Sequence, residues 1–93
     1  MYDITDYTQQ RAKDLNVVVF PSQDGKHKIE IYDKKSGLYI CKVGALGYKD
    51  YPTYVEEKGK EYAEKRRHLY HLRHKTDDAD IGSRKWFVSN LLW

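Results

Sequence analysis

Apolar side chains alternate from residue 17 to residue 43, and then the alternation stops. Val17-Val18-Val19-Phe20 is a β-branched run closed by Pro21, and such runs favour strands. From Lys26 to Tyr32, Ile29 and Ile31 fall on one face and Lys28, Glu30 and Tyr32 on the other. From Leu38 to Val43, Leu38, Ile40 and Lys42 oppose Tyr39, Cys41 and Val43. The segments between them, Pro21-Ser22-Gln23-Asp24-Gly25 and Asp33-Lys34-Lys35-Ser36-Gly37, are turn chemistry. Three short strands and two tight turns predict an antiparallel meander. Gly44-Ala45-Leu46-Gly47 is expected to end the sheet.

Past Gly47 the apolar period lengthens to about 3.6 residues, which is helical. Thr53 is a candidate N-cap, and Glu56 three residues later completes a capping box. Gly59 weakens a helix by about 1 kcal/mol relative to Ala. It is expected to divide a short helix from a longer one over roughly 60–74. Across the two helices Val55, Tyr62, Leu69 and Leu72, with Tyr70 beside them, lie broadly on one side, and a core role is favoured for Tyr62 and Tyr70. Thr76-Asp77-Asp78-Ala79-Asp80 reads as an acidic loop. Ser83 caps a last helix in which Phe87 and Leu91, and Val88 and Leu92, are i,i+4 pairs. That stripe runs on to Trp93 and predicts packing on the sheet or on the preceding helix. Ahead of the strands, residues 5–15 read as a short polar helix capped by Thr5 or Asp6, or as an extended arm. The expected class is α+β: a small antiparallel meander followed by two or three helices. Residues 1–15 form the N-terminal helix or arm, and residues 16–93 one small domain.

A chain of 93 residues has only a small core. Charged residues are 33% of it and the mean hydropathy is −0.88, which leans towards disorder. Nine Tyr, two Phe and two Trp lean the other way, because disordered chains are poor in rings. Cys41 is the one cysteine, so no internal disulfide forms, which fits a reducing compartment. No apolar run approaches the length of a membrane span. Met1 to Asp6 carries no basic region followed by an apolar stretch, so it is not a secretory signal.

The functional signal is a run from Lys65 to Lys75. It holds five Lys/Arg, three His and no acid, and it carries the formal excess of +3. Such a run suits a polyanion or an acidic protein surface. Lys65, Arg66, Arg67, Arg73, His74 and Lys75 are the candidate contacts, with the arginines suited to bidentate bonds to phosphate or carboxylate. The competing reading is a solvated helix face neutralised by Glu57, Glu61 and Glu64, with Glu61 and Lys65 a well-oriented i,i+4 pair. The residues leave both readings open. Tyr48 and Tyr51 are expected to be exposed aromatic anchors.

Other chemistry finds little support. His68, His71 and His74 recur every third residue and drift round a helix by about 60° per step, too far to share one ion easily. No metal or cofactor is expected. Cys41 falls inside a strand, where a small buried hydrophobe is its usual role. Asp77, Asp78 and Asp80 lack the ligand spacing of a calcium loop. No phosphate-cradling glycine motif and no nucleophile with an orienting base is present, so an enzyme is not expected.

Three elements carry a resemblance: Gly47-Tyr48-Lys49-Asp50-Tyr51, then Tyr70-x-x-Arg73-His74, then Leu91-Leu92-Trp93. Together they resemble an uncharacterised family of small basic proteins encoded chiefly by large double-stranded DNA viruses. The likeness spans roughly residues 26–93. The Pro52-to-Gly59 stretch and Arg84-Lys85-Trp86 depart from the family's pattern. The resemblance implies a viral structural protein, a minor capsid or cementing component contacting neighbouring viral proteins. It places the chain in the virion, or in the host cytoplasm or nucleus during assembly. It brings no catalytic residues. The alternative is a nucleic-acid-binding protein using the same basic helix on phosphates.

Overall fold

A computed structural model describes residues 1–74 and 80–93. Its contacts divide into two units, Met1–Tyr48 and Lys49–Trp93. The architecture is α+β, with a three-stranded antiparallel sheet followed, among the described residues, by three helices. No helix among those residues is long and apolar enough to cross a membrane.

In the first unit, helix α1 (Asp6–Asp14) starts at Thr5, whose hydroxyl accepts from the Thr8 N–H at 3.3 Å. This satisfies one of the helix's open N–H groups. The chain leaves the helix through Asn16 at φ 58°, a left-handed conformation that Asn tolerates better than most residues. It then enters β1 (Val17–Pro21), which α1 packs against, followed by β2 (His27–Asp33) and β3 (Tyr39–Ala45). The sheet order is β1-β2-β3. Val19 pairs with Ile31 and Ile29 with Val43. The inward face is therefore Val17, Val19, Ile29, Ile31 and Val43, all buried, as is Ala12 of α1.

The structure corrects the strand reading in three places. The sheet runs beyond Val43, with Gly44 at φ 82° inside β3 and Ala45 still paired with His27. A bulge breaks strict alternation: Ile31 faces Cys41 but Tyr32 faces Tyr39, so Ile40 is the extra residue. Tyr39 and Ile40 are consequently both exposed. Lys28 lies on the face expected to be polar and open, yet it is buried, its ammonium 5.4 Å from the Tyr2 ring centre.

The second unit begins with α2 (Tyr51–Lys58), capped by Asp50 rather than by Thr53. The buried Asp50 carboxylate accepts from the Thr53 N–H at 3.0 Å. Pro52 explains the earlier start, because its fixed φ and missing N–H suit the first turn of a helix. Gly59 closes α2 at φ 88°, ψ 164°, and α3 (Lys60–His74) follows and packs on α2. Ser83 caps α4 (Arg84–Leu91), accepting from the Trp86 N–H at 3.2 Å. Tyr51, Pro52, Ala63, Tyr70, Phe87, Leu91 and Leu92 are the buried apolar side chains among the described residues of this unit. The Tyr51 N–H donates to the Leu92 carbonyl at 3.0 Å, tying the start of α2 to the residue that follows α4.

Candidate interaction surface

Helix α3 carries the whole described part of the basic run, and its 3.6-residue turn sorts the members. Ala63 and Tyr70, two turns apart, mark its buried line. Arg67 lies on that line. Its guanidinium sits 4.0 Å from the Tyr51 ring centre, its Nε donates to the Trp93 carbonyl at 2.8 Å, and it reaches Glu64 at 3.5 Å. Arg67 is thus engaged within the unit. His74 is exposed, with its ring 4.4 Å from that of Tyr70. Lys65 and Arg73 are exposed. Arg66 is half-buried with its guanidinium 5.3 Å from the Tyr54 ring centre, and its buried Nε has no hydrogen-bond partner. Lys75 and the acidic residues Asp77 and Asp78 lie outside the described residues.

The two candidate tyrosines part company. Tyr48, in the first unit, is 77% exposed. Tyr51 is only 6% exposed, against expectation, and its hydroxyl donates to the Glu64 carboxylate at 2.7 Å. Its place in the first turn of α2 turns it inward, where Arg67 covers its ring. Sequence does not distinguish it from Tyr48, because a cap at Thr53 starts the helix three residues later than the observed cap at Asp50.

Of the acids expected to neutralise the run, Glu64 pairs with Arg67 at 3.5 Å and Glu57 is engaged elsewhere. Glu57 pairs with Lys49 at 2.6 Å, a bond that raises the Lys49 pKa. The Tyr51 hydroxyl holds the Glu64 carboxyl below its ordinary range, helped by the Arg67 and Lys60 charges. The anticipated Glu61–Lys65 pair does not form. Among the described residues, Lys65, Arg66 and Arg73 have no carboxylate within ion-pair distance.

The sequence reading missed what accompanies these cations. Tyr62 was expected in the core but is exposed. Leu69 and Leu72, expected on the same apolar side as the core, are 49% and 47% exposed. At about 100° per residue, Tyr62, Arg66, Leu69 and Arg73 form one stripe, turned about 100° from the Ala63–Tyr70 line. Lys65 and Leu72 border it. The signal was present in the spacing, since Ala63, Arg67 and Tyr70 share a line that excludes Leu72. A small alanine is simply a weak marker of a buried face.

The other candidate sites stay apart. His68, His71 and His74 are exposed, and among the described residues no three metal-ligating side chains converge. Cys41 is half-buried in β3. In the first unit, Asp24 accepts from the backbone N–H groups of His27 and Lys26 and lies 2.7 Å from the His27 ring nitrogen, which holds its carboxyl well below the usual range. Lys42 bridges Asp24 and Glu30, each at 3.7 Å. Phe20, Tyr32 and Tyr39 form a row of rings across the outer sheet face, each neighbouring pair 5.7 Å apart.

Comparison with protein-family models, with curated proteins and with solved structures gives no match.

Proposed function

We propose that this chain is a binding protein without catalytic activity, and that α3 is its contact surface for an acidic protein. The observation that carries this is the stripe itself. Lys65, Arg66 and Arg73 lack carboxylate partners among the described residues, and half-exposed Leu69 and Leu72 lie among them. A helix that met only phosphates would gain little from open leucines, whereas protein interfaces join apolar anchors to arginine. Lys65, Arg73 and the leucines replace the broader set expected from sequence, because Arg67 and Tyr51 serve the unit's own packing. Tyr48 is a separate exposed aromatic on the first unit.

The setting proposed for this contact is a virus particle, with the chain as a minor capsid or cementing component. That part rests on the resemblance of the Gly47–Tyr51, Tyr70–His74 and Leu91–Trp93 elements alone. The test is a Lys65→Glu/Arg73→Glu double variant, checked by circular dichroism and followed into purified particles. Both side chains are exposed, so the fold is expected to persist. Loss of incorporation with fold retained supports the contact; normal incorporation ends it. If the wild type shifts DNA with a steep loss of affinity in salt and the variant does not, phosphate binding by α3 replaces this reading.

A further inference from the structure

The stripe on α3 has a shape and a charge pattern that narrow its partner. Leu69, Leu72, Arg66 and Arg73 line a shallow depression of about 210 Å³. That is below the usual 300–1,000 Å³ or so of a small-molecule pocket. A second, broader depression lies across Leu69, lined also by Glu64, Lys65 and His68. Leu69 is the ridge between the two. Arg66 and Arg73 are seven residues apart, so they stand two turns, or about 10.5 Å, apart along the helix. No carboxylate among the described residues meets either guanidinium, and the Arg66 Nε is buried without a partner.

Building on the reading of α3 as a protein contact, we propose that its occupant is an acidic amphipathic helix. Two leucine or phenylalanine side chains one turn apart on that helix straddle Leu69. Two carboxylates near seven residues apart meet Arg66 and Arg73. A helix matches because its own repeat places groups at i and i+7 on one face at the same two-turn spacing. The acids are required by charge: a neutral or basic helix would leave Arg66 and Arg73 desolvated without a counter-charge. The leucines are required by the apolar ridge, which a plain polyanion would leave uncovered.

Fluorescence anisotropy with the full chain tests this. The probes are a labelled 18-residue amphipathic peptide with two leucines one turn apart and glutamates seven apart, the same peptide with serines for leucines, and a 20-nucleotide poly-dT strand. The leucine peptide is expected to bind, and to lose roughly tenfold or more in affinity when its leucines become serines. A Leu69→Ser/Leu72→Ser variant of the chain is expected to lose as much, with an unchanged circular dichroism spectrum. Arg73→Glu is expected to weaken the peptide as well. Equal binding of the leucine and serine peptides, no effect of the double serine variant, or no binding of the leucine peptide would each overturn the helix-partner inference. Tighter binding of poly-dT than of the leucine peptide would overturn it in favour of a polyanion. Particle incorporation of the Lys65→Glu/Arg73→Glu variant reads only the charges, so the broader contact and this partner class fail independently.

Discussion

The Tyr70 and Trp93 rings stack 4.6 Å apart and 2° from parallel. Tyr70 is the buried aromatic of α3, and Trp93 follows the last helix, so one ring pair fastens two segments of the second unit. The Tyr70 hydroxyl meets Ser89 at 3.2 Å on α4, and Arg67 holds the Trp93 carbonyl. Leu91 and Leu92, which precede Trp93, are buried. Aromatic pairs of this kind contribute about 0.5–1.5 kcal/mol beyond their buried area.

Leu91→Ala is therefore expected to destabilise the second unit by about 3 kcal/mol, the cost of a cavity at a fully buried leucine. Trp93→Ala is expected to cost less, about 1.5 kcal/mol, because its ring is only half-buried. Urea unfolding of the Leu91 variant followed by tryptophan fluorescence reads this unit directly, since Trp86 and Trp93 both belong to it. For the Trp93 variant, Trp86 remains as the probe.

Gly59→Ala should destabilise rather than stabilise. On propensity alone, removing a glycine from a helical pattern gains about 1 kcal/mol. The observed φ of 88° with ψ 164° is a region open essentially to glycine, and forcing a Cβ into it costs of order 1–3 kcal/mol. Beyond the adjoining backbone nothing lies within 4 Å of the added Cβ, so the penalty is conformational and not crowding by tertiary neighbours. A raised melting temperature in the Ala variant would show that the two helices merge instead.

Asp50→Ala and Thr53→Ala separate the two candidate caps of α2. Asp50 is buried and bonds the Thr53 N–H, so its loss is expected to cost about 1–2 kcal/mol. Thr53 contributes its backbone N–H to that bond, which alanine retains, so its replacement should cost less than about 0.5 kcal/mol. Paired denaturation curves decide between them.

Tyr51→Phe tests the Glu64 carboxyl. The Tyr51 hydroxyl depresses that pKa below its ordinary value, so the interaction is fully present above the unfolded carboxyl pKa. It is lost as pH falls through the lower folded value. The phenylalanine variant should return the Glu64 titration towards the ordinary carboxylate range. The stability gap between variant and wild type should be largest near neutrality and close in acid. Side-chain carboxyl shifts in NMR titrations read the first effect, and denaturation at several pH values the second.

Local chemistry determined most of the elements. β-branched runs between Pro and Gly turns specify the meander because strand and turn preferences act over neighbouring residues. The same holds for Ser83 as a cap, for Gly59 as a divider, and for the Phe87–Leu91 spacing. The basic run was equally legible, since charge is a property of composition. Tertiary structure alone decided which of those charges face outward. Tyr48 and Tyr51 look alike in sequence, yet one is open and the other lies under Arg67. Leu69 and Leu72 look like core residues, yet Ala63 and Tyr70 mark the line that meets the rest of the unit. Burial depends on which helical line finds a partner, and that is set by contacts between residues far apart in the chain. The bulge at Ile40 and the buried Lys28 have the same cause: pairing register and the position of Tyr2 are long-range facts that no local pattern encodes.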